Sequence, residues 1–150
     1  VARMAVSSLH PTVSSLSTSF AAEAAAAPGF EHVRWDRSQE VRMTTMDALI
    51  AAHGLPDFVK IDVEGFELDV LSGLGQPLPM LSVEYLPAFR DRTLAVIDRL
   101  QDLGLYRFNP VTGEAGGFLW DDWRDADAVR AWLKGLDPQG GSGDLYARLA

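Results

Sequence analysis

The sequence predicts an α/β fold: a mostly parallel sheet with helices on its crossovers and one antiparallel strand at an edge. Three observations carry this. Short apolar runs alternate with segments of helical spacing, the order that right-handed βαβ crossovers produce. The run Phe58 to Val63 is short and rich in β-branched residues, as in a strand buried on both faces. A glycine-rich turn, Gly140-Gly141-Ser142-Gly143, leads into a last strand from Asp144 to Leu149, which suits a reversal of direction at the edge of a mixed sheet.

The elements follow in order. Ala2 to Ser7 reads as a short strand. His10 to Ser19 is crowded with hydroxyls and has no period, so it reads as a loop. Phe20 to Ala27 reads as an alanine-rich helix stopped by Pro28-Gly29. Val41 to Thr44 reads as a strand, and Thr44 with Asp47 forms a capping box for a helix that puts Met46, Leu49 and Ile50 on one face. Gly54 ends that helix and Pro56 prevents its continuation. After Phe58 to Val63, the residues Phe66, Val70, Leu71 and Leu74 recur at helical spacing. Leu81 to Tyr85 is the next strand, and Arg90 to Leu103 a helix closed by Gly104. Tyr106 to Phe108 alternates as a strand does, and Phe118 to Trp120 is a further strand candidate. Asp125 caps a helix carrying Val129, Trp132, Leu133 and Leu136.

The length of 150 residues suits a single compact domain spanning residues 1–150. Hydrophobic residues make up 47% and charged residues 23%, enough for a sizeable core. A net charge of −8 argues against a nucleic-acid partner, because phosphates need a basic face. No apolar run reaches the ~20 residues that span a bilayer, so no membrane partner is expected. The chain has no cysteine, hence no disulfide framework and no thiolate metal site. The expected compartment is the cytoplasm.

The stretch from Pro56 to Leu74 carries the chemistry. An apolar strand ends in Lys60, Asp62 and Glu64 and passes through Gly65 into a helix. In open α/β sheets, ligands bind beyond the carboxyl ends of strands. Glu84 stands near the end of the next strand, so neighbouring strands would bring its carboxylate to the same rim. Gly65 permits a sharp turn or a close approach. The plain alternative is that Asp62 caps the following helix and Glu64 faces its positive end. On spacing alone the two readings are about even.

The wording of the segment is more specific. Asp57, Lys60, Asp62, Glu64, Gly65, Glu67, Val70, Leu71 and Gly73, with Thr44, Thr45, Asp47 and Leu49 before them and Val83-Glu84 after, resemble the hallmark of the FkbM family of S-adenosylmethionine-dependent methyltransferases. The matches cover about residues 41–86. The resemblance implies a class I methyltransferase, Rossmann-like sheet in which Phe58–Val63 is the fourth strand, Leu81–Tyr85 the fifth and the last strand antiparallel. It implies S-adenosylmethionine as cofactor and a small-molecule acceptor, such as a sugar or polyketide hydroxyl. The family's glycine-rich cofactor loop has no counterpart here. The expectation is therefore that the chain is the C-terminal portion of such a domain, lacking its first strands. No cofactor-binding residue and no metal ligand is assigned.

Methyl transfer needs an acceptor oxygen held in line and its proton removed. Asp62 and Glu64 are the candidate catalytic carboxylates. Glu84, Tyr85, His10 and Ser15 are candidates for binding the acceptor, His10 also as a base. A lone loop histidine is more often decoration, at odds of about four to one. Trp35, Trp120 and Trp123 read as core or edge residues before stacking platforms. Two other function classes stay open. Paired carboxylates also hold Mg²⁺ for phosphoryl transfer, although no phosphate-cradling loop is present. A non-catalytic remnant or interaction domain is the other.

Overall fold

The computed structural model of the protein describes residues 1–27, 30–113 and 116–150. The chain forms two compact units, one of Val1–Thr44 with Val63–Glu67, the other of Thr45–Asp62 with Leu68–Ala150.

In the first unit, β1 (Ala2–Val6) pairs antiparallel with β2 (Arg37–Val41), Ala2 opposite Val41 and Val6 opposite Arg37. The sequence places this second strand at Val41 to Thr44, and the structure moves it toward the N-terminus. Four of its five residues are exposed, so no burial alternation marks it, and pairing with β1 alone defines it. Helix α1 (Thr18–Ala24) begins earlier than the sequence suggests because the Ser17 hydroxyl accepts the Phe20 N–H at 3.1 Å, an N-cap. Its expected stop, Pro28-Gly29, lies outside the described residues. Phe20 and Ala24 are fully buried, and Phe30 meets the Phe20 ring edge-on at 6.0 Å. Glu64 and Gly65 are consecutive left-handed residues, with φ of 50° and 87°. A Cβ on Gly65 would stand 2.6 Å from the Phe20 side chain. Gly65 is needed both for that dihedral and for that close approach.

The second unit holds a four-stranded sheet in the order β3–β4–β6–β5, formed by β3 (Val59–Ile61), β4 (Met80–Tyr85), β5 (Tyr106–Thr112) and β6 (Gly143–Leu149). Two expectations are corrected here. The mostly parallel sheet holds only in part: β3, β4 and β5 point the same way, but the sheet is mixed, with β6 antiparallel to both β4 and β5. The antiparallel strand is also interior, not at an edge. The crossover through α4 (Arg90–Leu103) sets β5 one strand-width away from β4, and β6 fills the gap. Phe118 to Trp120 is not a strand. It is a loop pinned by Asn109, whose amide donates to the Trp120 carbonyl at 2.8 Å and accepts the Trp120 N–H at 3.1 Å.

Register divides the side chains of this sheet between two faces. Ile61, Val83 and Leu145 align across strands, as do Leu81, Ala147 and Phe108, and all are buried. With Val96, Ile97, Leu100, Val129 and Leu133 of α4 and α5 (Ala126–Gly135) they account for most of the core. The other face carries Lys60, Ser82 and Tyr146 in one row and Glu84, Asp144 and Val111 in the next. Ser82 is fully buried and, among the described residues, its hydroxyl has no hydrogen-bond partner. An unpaired buried hydroxyl costs about 1–3 kcal/mol, so Ser82→Ala is expected to leave stability unchanged or raise it by about 1 kcal/mol. Urea denaturation measures this, and a loss of stability would show that the hydroxyl has a partner in solution.

The segment Thr44 to Gly75 contains a clasp. Helix α2 (Met46–His53) is capped by Thr45, not Thr44: the Thr45 hydroxyl accepts the Ala48 N–H at 3.2 Å. Asp47 is used elsewhere. Its carboxylate accepts the Gly75 N–H at 2.9 Å and its own N–H donates to the Gly73 carbonyl at 3.0 Å. These bonds tie the start of α2 to the end of α3 (Glu67–Ser72). Arg99 closes the same region from α4, donating to the carbonyls of Leu71 and Leu74, where the negative end of a helix favours a cation.

Candidate functional site

Strand β3 ends at Ile61, which pairs with Val83, so Asp62 and Glu84 follow side by side from adjacent parallel strands. Their carboxylate oxygens lie within 4.8 Å of each other. Because β6 runs the opposite way, its first residues reach the same rim: Asp144 is directly opposite Glu84. Three carboxylates thus stand across three strands at the carboxyl ends of β3 and β4. Like charges in opposed positions repel.

Lys60 relieves part of this. Its ammonium lies 3.2 and 3.1 Å from the two Asp144 oxygens and 3.6 Å from Asp62. The hydrogen bond to Asp144, ahead of the nearby charges, raises the Lys60 pKa above its ordinary value. A raised lysine stabilises the fold in full below the unfolded pKa of about 10.4 and loses that contribution as pH climbs through the folded value. At neutral pH the pairing is therefore complete. Its contribution to stability is small, because the Lys60 and Asp62 side chains are 48% and 46% exposed. The rim remains acidic.

The other predicted residues are placed as follows. Glu64 belongs to the first unit, where its backbone carbonyl accepts a 2.5 Å hydrogen bond from the Ser15 hydroxyl. Ser15 is 1% exposed, so its side chain fixes the left-handed turn at Glu64. His10, also in the first unit, sits edge-on to His32 with ring centroids 4.8 Å apart. Tyr85 lies on the opposite face of the sheet from Glu84. It is 2% exposed and packs against Trp132 at 5.2 Å. Burial, with the Asp144 charge second, raises its pKa. Strand alternation turns Tyr85 away from the face that carries Glu84 and into the core. The helix-cap reading of Asp62 also lapses: α3 begins at Glu67, too far along for Asp62 to cap it. Glu67 itself accepts the Gly65 N–H at 3.1 Å and is 8% exposed.

Asp144 was not singled out from the sequence. The signal was there, since an antiparallel last strand returns its first residues to the rim where parallel strands end. It required knowing that this strand lies beside β4.

Residues 5–139 match the family model of the methyltransferase FkbM domain. That is most of the 150 residues, and the chain belongs to the FkbM methyltransferase domain family. No curated protein and no solved structure gives a significant match. Among the described residues, no helix is long and apolar enough to cross a membrane.

Proposed function

We propose that the protein acts in the S-adenosylmethionine-dependent methylation of a hydroxyl oxygen on a small molecule, a sugar, polyketide or similar. The observation that carries this reading is the Asp62–Glu84 pair at the carboxyl ends of adjacent parallel strands, in a chain of the FkbM family. The donor set suits the cofactor's charge. Asp62, Glu84 and Asp144 face one lysine, and such a rim favours a positively charged sulfonium over a phosphorylated ligand. When bound, the cofactor supplies a methyl group already activated by that charge. The groups that hold its adenosine are not assigned to residues of this chain.

Asp62 is the foremost candidate to orient the acceptor hydroxyl and take its proton, and Glu64, two residues on, is the second. Glu84 accepts hydrogen bonds from further hydroxyls of the acceptor, since an ionised carboxylate can only accept. Ser15 acts by holding the Glu64 backbone, and His10 is a reserve base. The acidic net charge of −8 supports a neutral acceptor and no nucleic-acid partner, and a cytoplasmic setting fits the lack of cysteine. The test is to supply S-adenosylmethionine with a panel of neutral hydroxylated compounds to the protein that contains this sequence, and to measure S-adenosylhomocysteine. Production that requires an acceptor is the expected result. No production, together with magnesium-dependent nucleotide turnover, would replace this reading with phosphoryl transfer.

A further inference from the structure

A cavity of about 360 Å³ opens beside the carboxylate row, lined by Val111, Gly116, Gly117, Phe118 and Tyr146. Its size is in the range of small-molecule sites. Register fixes its place. Val111 is paired with Asp144, and Asp144 with Glu84, so the cavity shares the sheet face of the acidic rim. Tyr146 stands two residues from Asp144 on the same strand and face.

The walls are firmly held. The Phe118 ring meets Tyr146 edge-on at 5.3 Å, and Phe58 stacks on Tyr146 at 5.9 Å. Trp123 lies against Phe118 at 5.1 Å. The loop bearing Phe118 is anchored by the 1% exposed Asn109 through both of its bonds to Trp120, and by the Leu119 N–H to the Pro110 carbonyl at 2.8 Å. Aromatic walls stand on one side and acceptor-only carboxylates on the other. A ligand meeting both needs an apolar C–H face and a set of hydroxyl donors. Neutral sugar rings have that combination.

Spacing adds a length requirement. Adjacent strands are about 4.8 Å apart. From Val111 on β5 to Glu84 on β4 is two spacings, roughly 10 Å, and to Asp62 three, roughly 14 Å. Measured between strands, a ring seated in the cavity lies one spacing from Asp144 and three from Asp62, so a longer ligand is needed to cover the whole row. We propose that Tyr146 and Phe118 form a ring-binding subsite for the remote sugar of a neutral glycoside at least two rings long, whose other ring lies at the carboxylate row. This rests on the methyl-transfer reading and narrows its acceptor class.

The experiment is done without methyl donor, so it is independent of turnover. Methyl cellobioside, methyl maltoside and methyl lactoside are titrated into the isotopically labelled protein, with methyl glucoside as the single-ring comparison, and NMR shifts are followed. At least one disaccharide is expected to perturb the Val111 methyls and the Tyr146 and Phe118 rings, and to bind more tightly than the monosaccharide. Tyr146→Ala is expected to weaken it about tenfold, while Tyr146→Phe, which keeps the ring, retains binding. If Tyr146→Ala does not fold, Val111→Phe, which fills the cavity, is expected to abolish binding. Shifts confined to other residues, no shifts with any of the three disaccharides, or unchanged affinity in the cavity variants would overturn the subsite. Failure of acceptor-dependent S-adenosylhomocysteine production would strike the methyl-transfer reading instead and leave these shifts in place.

Discussion

Asp62→Asn is expected to lower turnover by about 10²- to 10⁴-fold, the range that a positioned general base supplies, with a thermal midpoint within about 2 °C of wild type. The side chain is 46% exposed, and the substitution keeps its shape, so little packing is lost. The amide removes the charge that a proton acceptor needs. It also leaves Lys60 its closer partner, Asp144. The assay is S-adenosylhomocysteine release with a confirmed acceptor, run beside a melting curve. Turnover near wild type would remove Asp62 from proton transfer and turn attention to Glu64→Gln.

Gly65→Ala is expected to cost about 2–4 kcal/mol of stability. Part is the left-handed backbone, about 1–2 kcal/mol for a residue with a Cβ. The larger part is steric: the new carbon would sit 2.6 Å from Phe20, which is fully buried and has no room to retreat, and overpacking of this kind costs about 1–3 kcal/mol. Gly113→Ala separates the two terms. Gly113 has φ of 55° but, among the described residues, nothing within 4 Å of an added Cβ, so only about 1 kcal/mol is expected there. Urea titrations of both variants decide the matter. Equal losses would mean that Phe20 yields freely and that dihedral preference alone selects glycine at position 65.

Helix α4 was legible residue for residue, from Arg90 to Leu103, because a long amphipathic period and a terminal glycine agree. The parallel neighbours β3 and β4, and with them the meeting of Asp62 and Glu84, were legible from the strand–helix–strand order. β2 was not, because an exposed strand carries no burial alternation. Phe118–Trp120 is a strand candidate in the sequence only because its apolar residues serve a ring cluster and not a sheet. The side-chain period of two sends Glu84 to the rim and Tyr85 into the core. Part of the family wording also proved structural. Asp47, Glu67 and Gly73 hold turns and helix ends together. A recurring carboxylate is therefore not by itself a reacting one.

The interior position of β6 bears on how the second unit assembles. β4 and β5 share no backbone ladder, and they are joined to each other through residues 143–149. During synthesis from the N-terminus, the earlier strands and helices can collapse together, but the gap between β4 and β5 stays open until the final strand emerges. The pairing of Met80 with Arg148 closes a loop of about two thirds of the unit, a high-contact-order event of the kind that slows folding. Until then β4 and β5 present unpaired edges to other nascent chains. Strand β6 acts as a keystone: as it closes the gap between β4 and β5, it also brings Asp144 to the rim.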